Sequence, residues 1–238
     1  MICLSKEIHK QFQRINIPEQ RIKHIKNAVD ASRFHPLYSS QRQAWREKRG
    51  FNGTELLVLF CGNFRPIKGL DILVEALPRV SKAVPQARLL ILGHEKFIPG
   101  SVKESLQKKI QEGQIPHINF EGETPSPELY YGAADLLAMP SRQEGFPNVL
   151  MEAMACELAT VSSDTCGINE LIIPGENGIL VPADDPGRLA DAMITLLQNP
   201  DQRASLGKKA REYVVRNLTF QQIAGQYFQL YNEVITKT

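Results

Sequence analysis

From residue 55 onward, short apolar runs alternate with longer stretches whose apolar residues recur every three or four positions. The short runs predict strands and the longer stretches predict amphipathic helices. Strands are expected at 56–61, 88–92, 117–120, 135–139, 159–162 and 178–181. Helices are expected at 70–84, 102–111, 127–132, from Pro147, as a turn near 169–172, and at 188–198, 201–216 and 219–235. Strict alternation of strand and helix implies an α/β fold, a doubly wound parallel sheet of Rossmann-like type closed by C-terminal helices. Such sheets take ligands at the carboxyl ends of their strands. The loops after Cys61, Phe120 and Met139 all lie at such ends.

The first 50 residues break the pattern. Ile2-Cys3-Leu4 reads as a strand end, and Ser5 is placed to cap a helix carrying Ile8, Phe12 and Ile15. A short strand and turn is expected at 25–30, and a polar helix at 41–49 before Gly50-Phe51-Asn52-Gly53. This stretch reads as part of another fold. The chain therefore divides into 1–50, a piece of a preceding domain with its linker, and 51–238, the ligand-binding domain.

Charge sharpens that division. Residues 1–50 hold 11 Lys+Arg and 4 Asp+Glu, net +7, and the remainder holds 17 and 22, net −5. A solvated basic face is the favoured reading; a surface for an anionic partner or membrane headgroups is the sharper one. No aromatic interleaving or recognition helix points to nucleic acid. Cys3, Cys61, Cys156 and Cys166 lack C-x-x-C spacing and read as reduced thiols. Apolar runs fall far short of the ~20 residues of a membrane span. The expected location is cytoplasmic, with at most peripheral membrane contact.

Two loops carry candidate chemistry. In Gly62-Asn63-Phe64-Arg65-Pro66-Ile67-Lys68-Gly69 a guanidinium and an ammonium stand three residues apart, yet the spacing fits neither a Walker loop nor a dinucleotide fingerprint. Arg65 and Lys68 could neutralise a diphosphate, or be two ordinary charges of a solvated loop. In Glu144-Gly145-Phe146-Pro147-Asn148-Val149-Leu150-Met151-Glu152, Pro147 suits a helix start, where free N–H groups near Asn148 and Val149 attract phosphate. Glu144 and Glu152 fit either an acid/base pair or two anchors for vicinal hydroxyls. Asp164, Gly167 and Glu170 form a polar turn that could support this site. The five histidines are scattered, and no His/Cys/Asp cluster has metal spacing.

Taken together, these residues resemble the retaining glycosyltransferases of the GT-B fold, the "group 1" family 4. Glu144 to Glu152 with Ala153-Met154-Ala155 resembles their E-x₇-E signature, and Gly62, Arg65 and Lys68-Gly69 their diphosphate loop. Gly167-Ile168-Asn169-Glu170-Leu171-Ile172 resembles their G-I-P-E-L-I turn, and Asn27-Ala28-Val29-Asp30 with Phe34 their interdomain segment. The resemblance implies a donor-binding half that takes a nucleotide diphosphate sugar, such as a UDP- or GDP-hexose. The hexosyl unit would pass with retention to a glycan or lipid-linked acceptor, as in polysaccharide biosynthesis. It implies Glu152 on the ribose and Glu144 on the sugar. Gly62, Asn63, Arg65 and Lys68 would meet the diphosphate, and backbone from Gly145 through Phe146, Pro147, Asn148, Val149 and Leu150 the sugar and phosphate. The loop at 121–123 would line the base. Arg65, Lys68 and Glu144 would carry catalysis, with no metal or other cofactor. The chain departs from the family pattern at Glu157 and Ala159, where Gly and Pro are usual, so the turn after the signature helix is expected to differ. Ala28 stands where Gly is usual, and Asn63 where Arg is common. The acceptor-binding half is expected to be supplied by further sequence or a separate chain. The alternative is a non-catalytic nucleotide-sugar-binding module.

Overall fold

The computed structural model describes residues 1–94, 110–111 and 118–236. Strands β1 (Ile2–Cys3) and β2 (Lys23–His24) pair in parallel as a small separate sheet. Between them α1 (Lys6–Arg14) starts at Ser5, whose hydroxyl accepts from the Ile8 N–H at 3.4 Å. This is the expected cap. The strand expected at 25–30 forms earlier, because Cys3 pairs with His24 and pairing ends at Ile25, whose N–H reaches the Cys3 carbonyl at 3.1 Å. Val29 instead makes an isolated parallel bridge to Thr219.

Helix α2 (Ser39–Lys48) lies against the larger body. Its Arg46 is 5% exposed and donates to the Ala133 and Glu55 carbonyls and, at 2.6 Å, to Asp135. Trp45 stacks edge-on against Tyr130 with centroids 4.9 Å apart. The basic excess of the first segment is matched across the chain. Arg33 pairs with Glu128, Arg42 and Arg46 with Asp135, Arg49 with Glu121 and Lys23 with Glu233. These pairs engage five of the 11 basic residues, while Lys6, Lys10, Arg14, Arg21 and Lys48 are exposed, so the segment is part clamp and part solvated basic face.

The larger body is a parallel sheet covered on both faces. Its elements are β3 (Leu56–Cys61), α3 (Leu70–Ala83), β4 (Ala87–Leu92), β5 (Ile118–Gly122), α4 (Pro127–Ala133), β6 (Leu136–Met139), α5 (Asn148–Ala155), β7 (Thr160–Ser163), β8 (Ile179–Val181), α6 (Pro186–Gln198), α7 (Pro200–Asn217) and α8 (Phe220–Ile235). Strand order is β5-β4-β3-β6-β7-β8, every pair parallel. Leu57 and Leu59 of β3 face a layer with Tyr131, Leu150, Met154 and Val214, while Val58 and Phe60 face Leu73, Leu77 and Met193. A strand buried on both faces must be apolar throughout, which is why these runs were legible. The order reverses between β3 and β6, where the chain, having built outward through β4 and β5, crosses back.

One expectation changes here, and two others lie largely outside the described residues. Residues 169–172 form hydrogen-bonded turns rather than helix, with the Leu171 and Ile172 N–H groups both on the Ile168 carbonyl. Of the helix expected at 102–111, only 110–111 are described, and they are helical. His117, the start of one expected strand, also lies outside the described residues.

The turn after α5 keeps a tight left-handed form despite its sequence. The Leu158 N–H reaches the Ala153 carbonyl at 3.0 Å and the Glu157 N–H the Met154 carbonyl at 3.1 Å. This is the Schellman pattern, with Glu157 at its left-handed position, φ 59°. A non-glycine residue there costs about 1–2 kcal/mol, partly offset by the entropy glycine would lose. Glu157 has only a 3.9 Å approach to Arg211 to lose. Glu157→Gly is therefore expected to stabilise the chain by about 0.5–1 kcal/mol, raising Tm by roughly 1–4 °C. An unchanged or lower Tm would contradict this account of the turn.

Candidate functional site

The reversal between β3 and β6 opens a crevice at their carboxyl ends, the usual ligand position in such sheets. The loop after β3 turns through Pro66–Lys68 into α3 by way of Gly69 at φ 69°. A Cβ on Gly69 would collide with the Pro140 carbonyl, so the turn into α3 and the loop after β6 can only meet through glycine. Arg142 locks the same two loops. Its backbone N–H donates to the Ile67 carbonyl at 2.8 Å, and its guanidinium grips both Asp71 oxygens at 2.9 and 2.7 Å. It also reaches the Pro66 carbonyl and, at 2.7 Å, Asp184. Burial alone would raise the Asp71 carboxyl, but Arg142 beside it holds it below the usual range.

The lock brings Lys68 against Glu144. Lys68 Nζ donates to Glu144 Oε1 at 2.7 Å, with the glutamate side chain 9% exposed and the lysine 28%. Two groups expected on different parts of a ligand thus touch each other. Arg65, three residues earlier, is exposed, and its guanidinium has no ion-pair partner among the described residues. Asn63 Oδ1 is buried with no hydrogen-bond partner among the described residues.

The signature loop is supported from below. A Cβ on Gly167, at φ 80°, would run into the carbonyls of Gly145 and Glu144, so the turn after β7 fits under the loop only as glycine. Glu170, from the same turn, accepts from the Lys6 N–H at 2.7 Å. Asn27 secures the start of α5 by donating to the Phe146 carbonyl at 3.2 Å and Asn148 Oδ1 at 3.0 Å. Pro147 directly precedes the first helical residue, leaving the N–H groups of Asn148, Val149 and Leu150 at an open helix start.

A cavity of about 590 Å³ lies beside this start, lined by strand ends Cys61 to Asn63 and Leu92 to His94, the loop 122–125, and Tyr131, Val149 and Glu152. A second, of about 580 Å³, lies between α1 and the signature loop and contains Glu144, Gly145, Arg142 and Asp164. Glu152 is mostly buried, and burial pushes its carboxyl up, countered by the hydrogen bond from Tyr131. Tyr131 supplies at 2.9 Å the partner that a buried carboxylate needs. Glu123 lies on the lip and pairs with His94 Nδ1 at 2.5 Å. Glu121 turns away to the Tyr130 hydroxyl at 3.0 Å and to Arg49.

The structure therefore brings Gly62, Asn63 and Lys68 together with Glu144, Val149 and Glu152 around one crevice, while Arg65 is exposed in the same loop as Lys68 and lines neither cavity. The sequence reading gave no role to Tyr131 or Arg142, placed Asn27 only in the interdomain segment, and counted His94 only among the scattered histidines. The loop's support is tested by Gly167→Ala, expected to cost about 2 kcal/mol or more, because backbone rather than a flexible side chain must move. Denaturant midpoints measure it, and a change below 0.5 kcal/mol would mean the turn does not support Glu144 and Gly145.

The family model described as "Glycosyl transferases group 1" matches residues 41–213. A GDP-mannose-dependent monoacylated alpha-(1-6)-phosphatidylinositol monomannoside mannosyltransferase of Corynebacterium glutamicum is 30% identical over 200 residues, covering 80% of this chain and 51% of that protein. A D-inositol 3-phosphate glycosyltransferase of Xylanimonas cellulosilytica is 33% identical over 198 residues, covering 80% and 46%. Among solved structures, sucrose-phosphate synthase from Thermosynechococcus elongatus aligns with TM-score 0.85 at 27% identity, over 100% of this chain and 58% of that one. Anabaena HepE in complex with UDP aligns at 0.90 and 24%, over 98% and 63%. The chain spans about half the length of the relatives it matches.

Proposed function

The chain belongs to the group 1 glycosyl transferases, and on that premise we propose that it forms the donor-binding half of a retaining GT-B enzyme of glycosyltransferase family 4. In this reading it holds a nucleotide diphosphate hexose, and the hexosyl unit passes to a hydroxyl of a glycan or lipid-linked acceptor. The observation that carries the reading is the meeting of Lys68, Glu144 and the open start of α5 at the β3/β6 crevice, beside a cavity that reaches Glu152.

The Lys68–Glu144 contact suits both roles. An ammonium has three N–H donors, so one can rest on Glu144 while two face phosphate oxygens. Glu144 keeps its second oxygen for a sugar hydroxyl. Arg65 would add a guanidinium from the same loop as Lys68, and the N–H groups at the start of α5 face the same anion. As the bond from the anomeric carbon to the phosphate oxygen breaks, charge grows on the diphosphate, and these donors stabilise it more than the ground state. The acceptor oxygen bonds to the same face of the anomeric carbon and its proton passes to the departing phosphate. Glu152 accepts from the ribose hydroxyls. The buried, unpartnered Asn63 Oδ1 supports a donor arriving from the ligand. The electrostatic work falls to side chains and a helix start, without a metal. The acceptor's wall of the cleft belongs to the part of the relatives' length that this chain does not span.

Calorimetry is expected to show UDP or GDP binding to the 238-residue chain, unaffected by EDTA. Lys68→Ala should weaken it by about 1–3 kcal/mol, the range for a charged hydrogen bond. Absence of binding by any nucleotide at millimolar concentration would sink the donor-site reading, and loss on chelation would sink the metal-free one. Sugar transfer by this chain alone is not expected; measured transfer would overturn the proposed division into halves.

A further inference from the structure

Tyr131 is 1% exposed, its ring wedged against Phe34 with centroids 6.0 Å apart. Its hydroxyl nevertheless reaches the cavity, donating to Glu152 Oε2 at 2.9 Å, with Cys61 Sγ 3.4 Å away. A hydroxyl has one proton, and the nearer carboxylate is the stronger acceptor. We infer that Tyr131 is a positioning residue for the nucleotide pocket: its hydroxyl fixes the Glu152 carboxylate so that the other oxygen faces the vicinal diol of a ribose. The inference rests on the reading of Glu152 as the ribose anchor.

The chemistry favours a tyrosine here. The terminal torsion of a glutamate is broad, so an untethered carboxylate presents its lone pairs in many directions. A lysine or arginine would fix it but add a competing charge. A neutral phenol fixes one oxygen and leaves the anion's charge for hydroxyl protons. The phenol stays a donor, because burial pushes its pKa well above the ordinary value. The surroundings are otherwise quiet. Cys61 from β3 is held as a thiol, pushed up to about 11, and Cys156 in the turn after α5 is pushed up to about 12. Arg33 and Glu128, which act on Glu152 in opposite directions, pair with each other at 2.9 Å. His94 and Glu123 pair at the lip, and Lys68 acts on Cys61 from the phosphate side.

The test is calorimetry on the 238-residue chain with GDP and UDP and their 2′,3′-dideoxy forms, from pH 5 to 8. Tyr131→Phe keeps the ring against Phe34 and is expected to weaken the ribonucleotide about tenfold while leaving the dideoxy form unchanged. A donor bond favours the ionised carboxylate. Binding that needs that carboxylate is lost as pH falls through its pKa, so removing the hydroxyl should move this acid limb to higher pH. Equal weakening of both nucleotides, or of neither, with an unmoved acid limb, would overturn the inference. Glu152→Gln separates the two levels. If it leaves the preference for ribose intact, the ribose reading of Glu152 fails. If it removes that preference and Tyr131→Phe does not, the positioning role alone fails. Should Tyr131→Phe not fold, 3,5-difluorotyrosine installed at position 131 decides the question. As the more acidic phenol it should shift the acid limb to lower pH, and an unmoved limb would overturn the proposal.

Discussion

The structure depends on a topological constraint. β3 and β6 are neighbours in the sheet but distant in sequence, and both are buried on two faces. Their backbone donors are used in the sheet and their side chains in the core. Chemistry can therefore reside only in the loops beyond their carboxyl ends. At that edge, successive connections leave in opposite directions and a crevice opens. The polar residues of the site follow from this placement. Lys68 comes from the loop after β3, Glu144 from the loop after β6 and Glu152 from the helix that follows. Arg142 with its two aspartates and Gly69 against Pro140 keep the first two loops in register.

A second constraint joins the first 50 residues to the rest. Asp135 immediately precedes β6, accepts from the Leu57 N–H at 2.7 Å, and receives both Arg42 and Arg46. Arg46 and Asp135 are almost fully buried, so breaking this pair would strand a charge, at a cost of about 3–5 kcal/mol. A clamp on the central strand thus fixes α2. Further along, Asn27 reaches the start of α5 and Lys6 reaches Glu170. The first segment is consequently part of the support of the signature loop.

Legibility followed the range of the forces involved. The central strands were readable because two-sided burial demands unbroken apolar runs such as Leu56 to Cys61. The signature stretch was readable because its residues are close in sequence and share one loop and helix. The pairing of β1 with β2 was displaced by two residues, since Ile25 is buried and apolar without being a paired strand residue. The basic excess was visible, but its use was not. Arg46 and Asp135 are 89 residues apart, and no local pattern announces such a pair. The polar turn at 167–170 read as possible support, and the close approach of Gly167 to the Gly145 carbonyl gives that support a steric basis.

Tyr131 shows why a buried site is harder to read than an exposed one. In sequence it is an aromatic in a short helix, the usual mark of core, and its ring is indeed core. Its hydroxyl matters only because α4 and α5 pack on the same face of the sheet, setting Glu152 one hydrogen bond away. Burial raises the pKa of that carboxyl, and the phenol opposes the rise without neutralising the anion. A nonpolar neighbour would leave the carboxyl more easily protonated, and a cation would compete with hydroxyls for its lone pairs. Among common side chains, a buried phenol meets both conditions. The packing layer and the polar site are therefore joined in one residue, and substitution there must be judged by the oxygen and the ring separately.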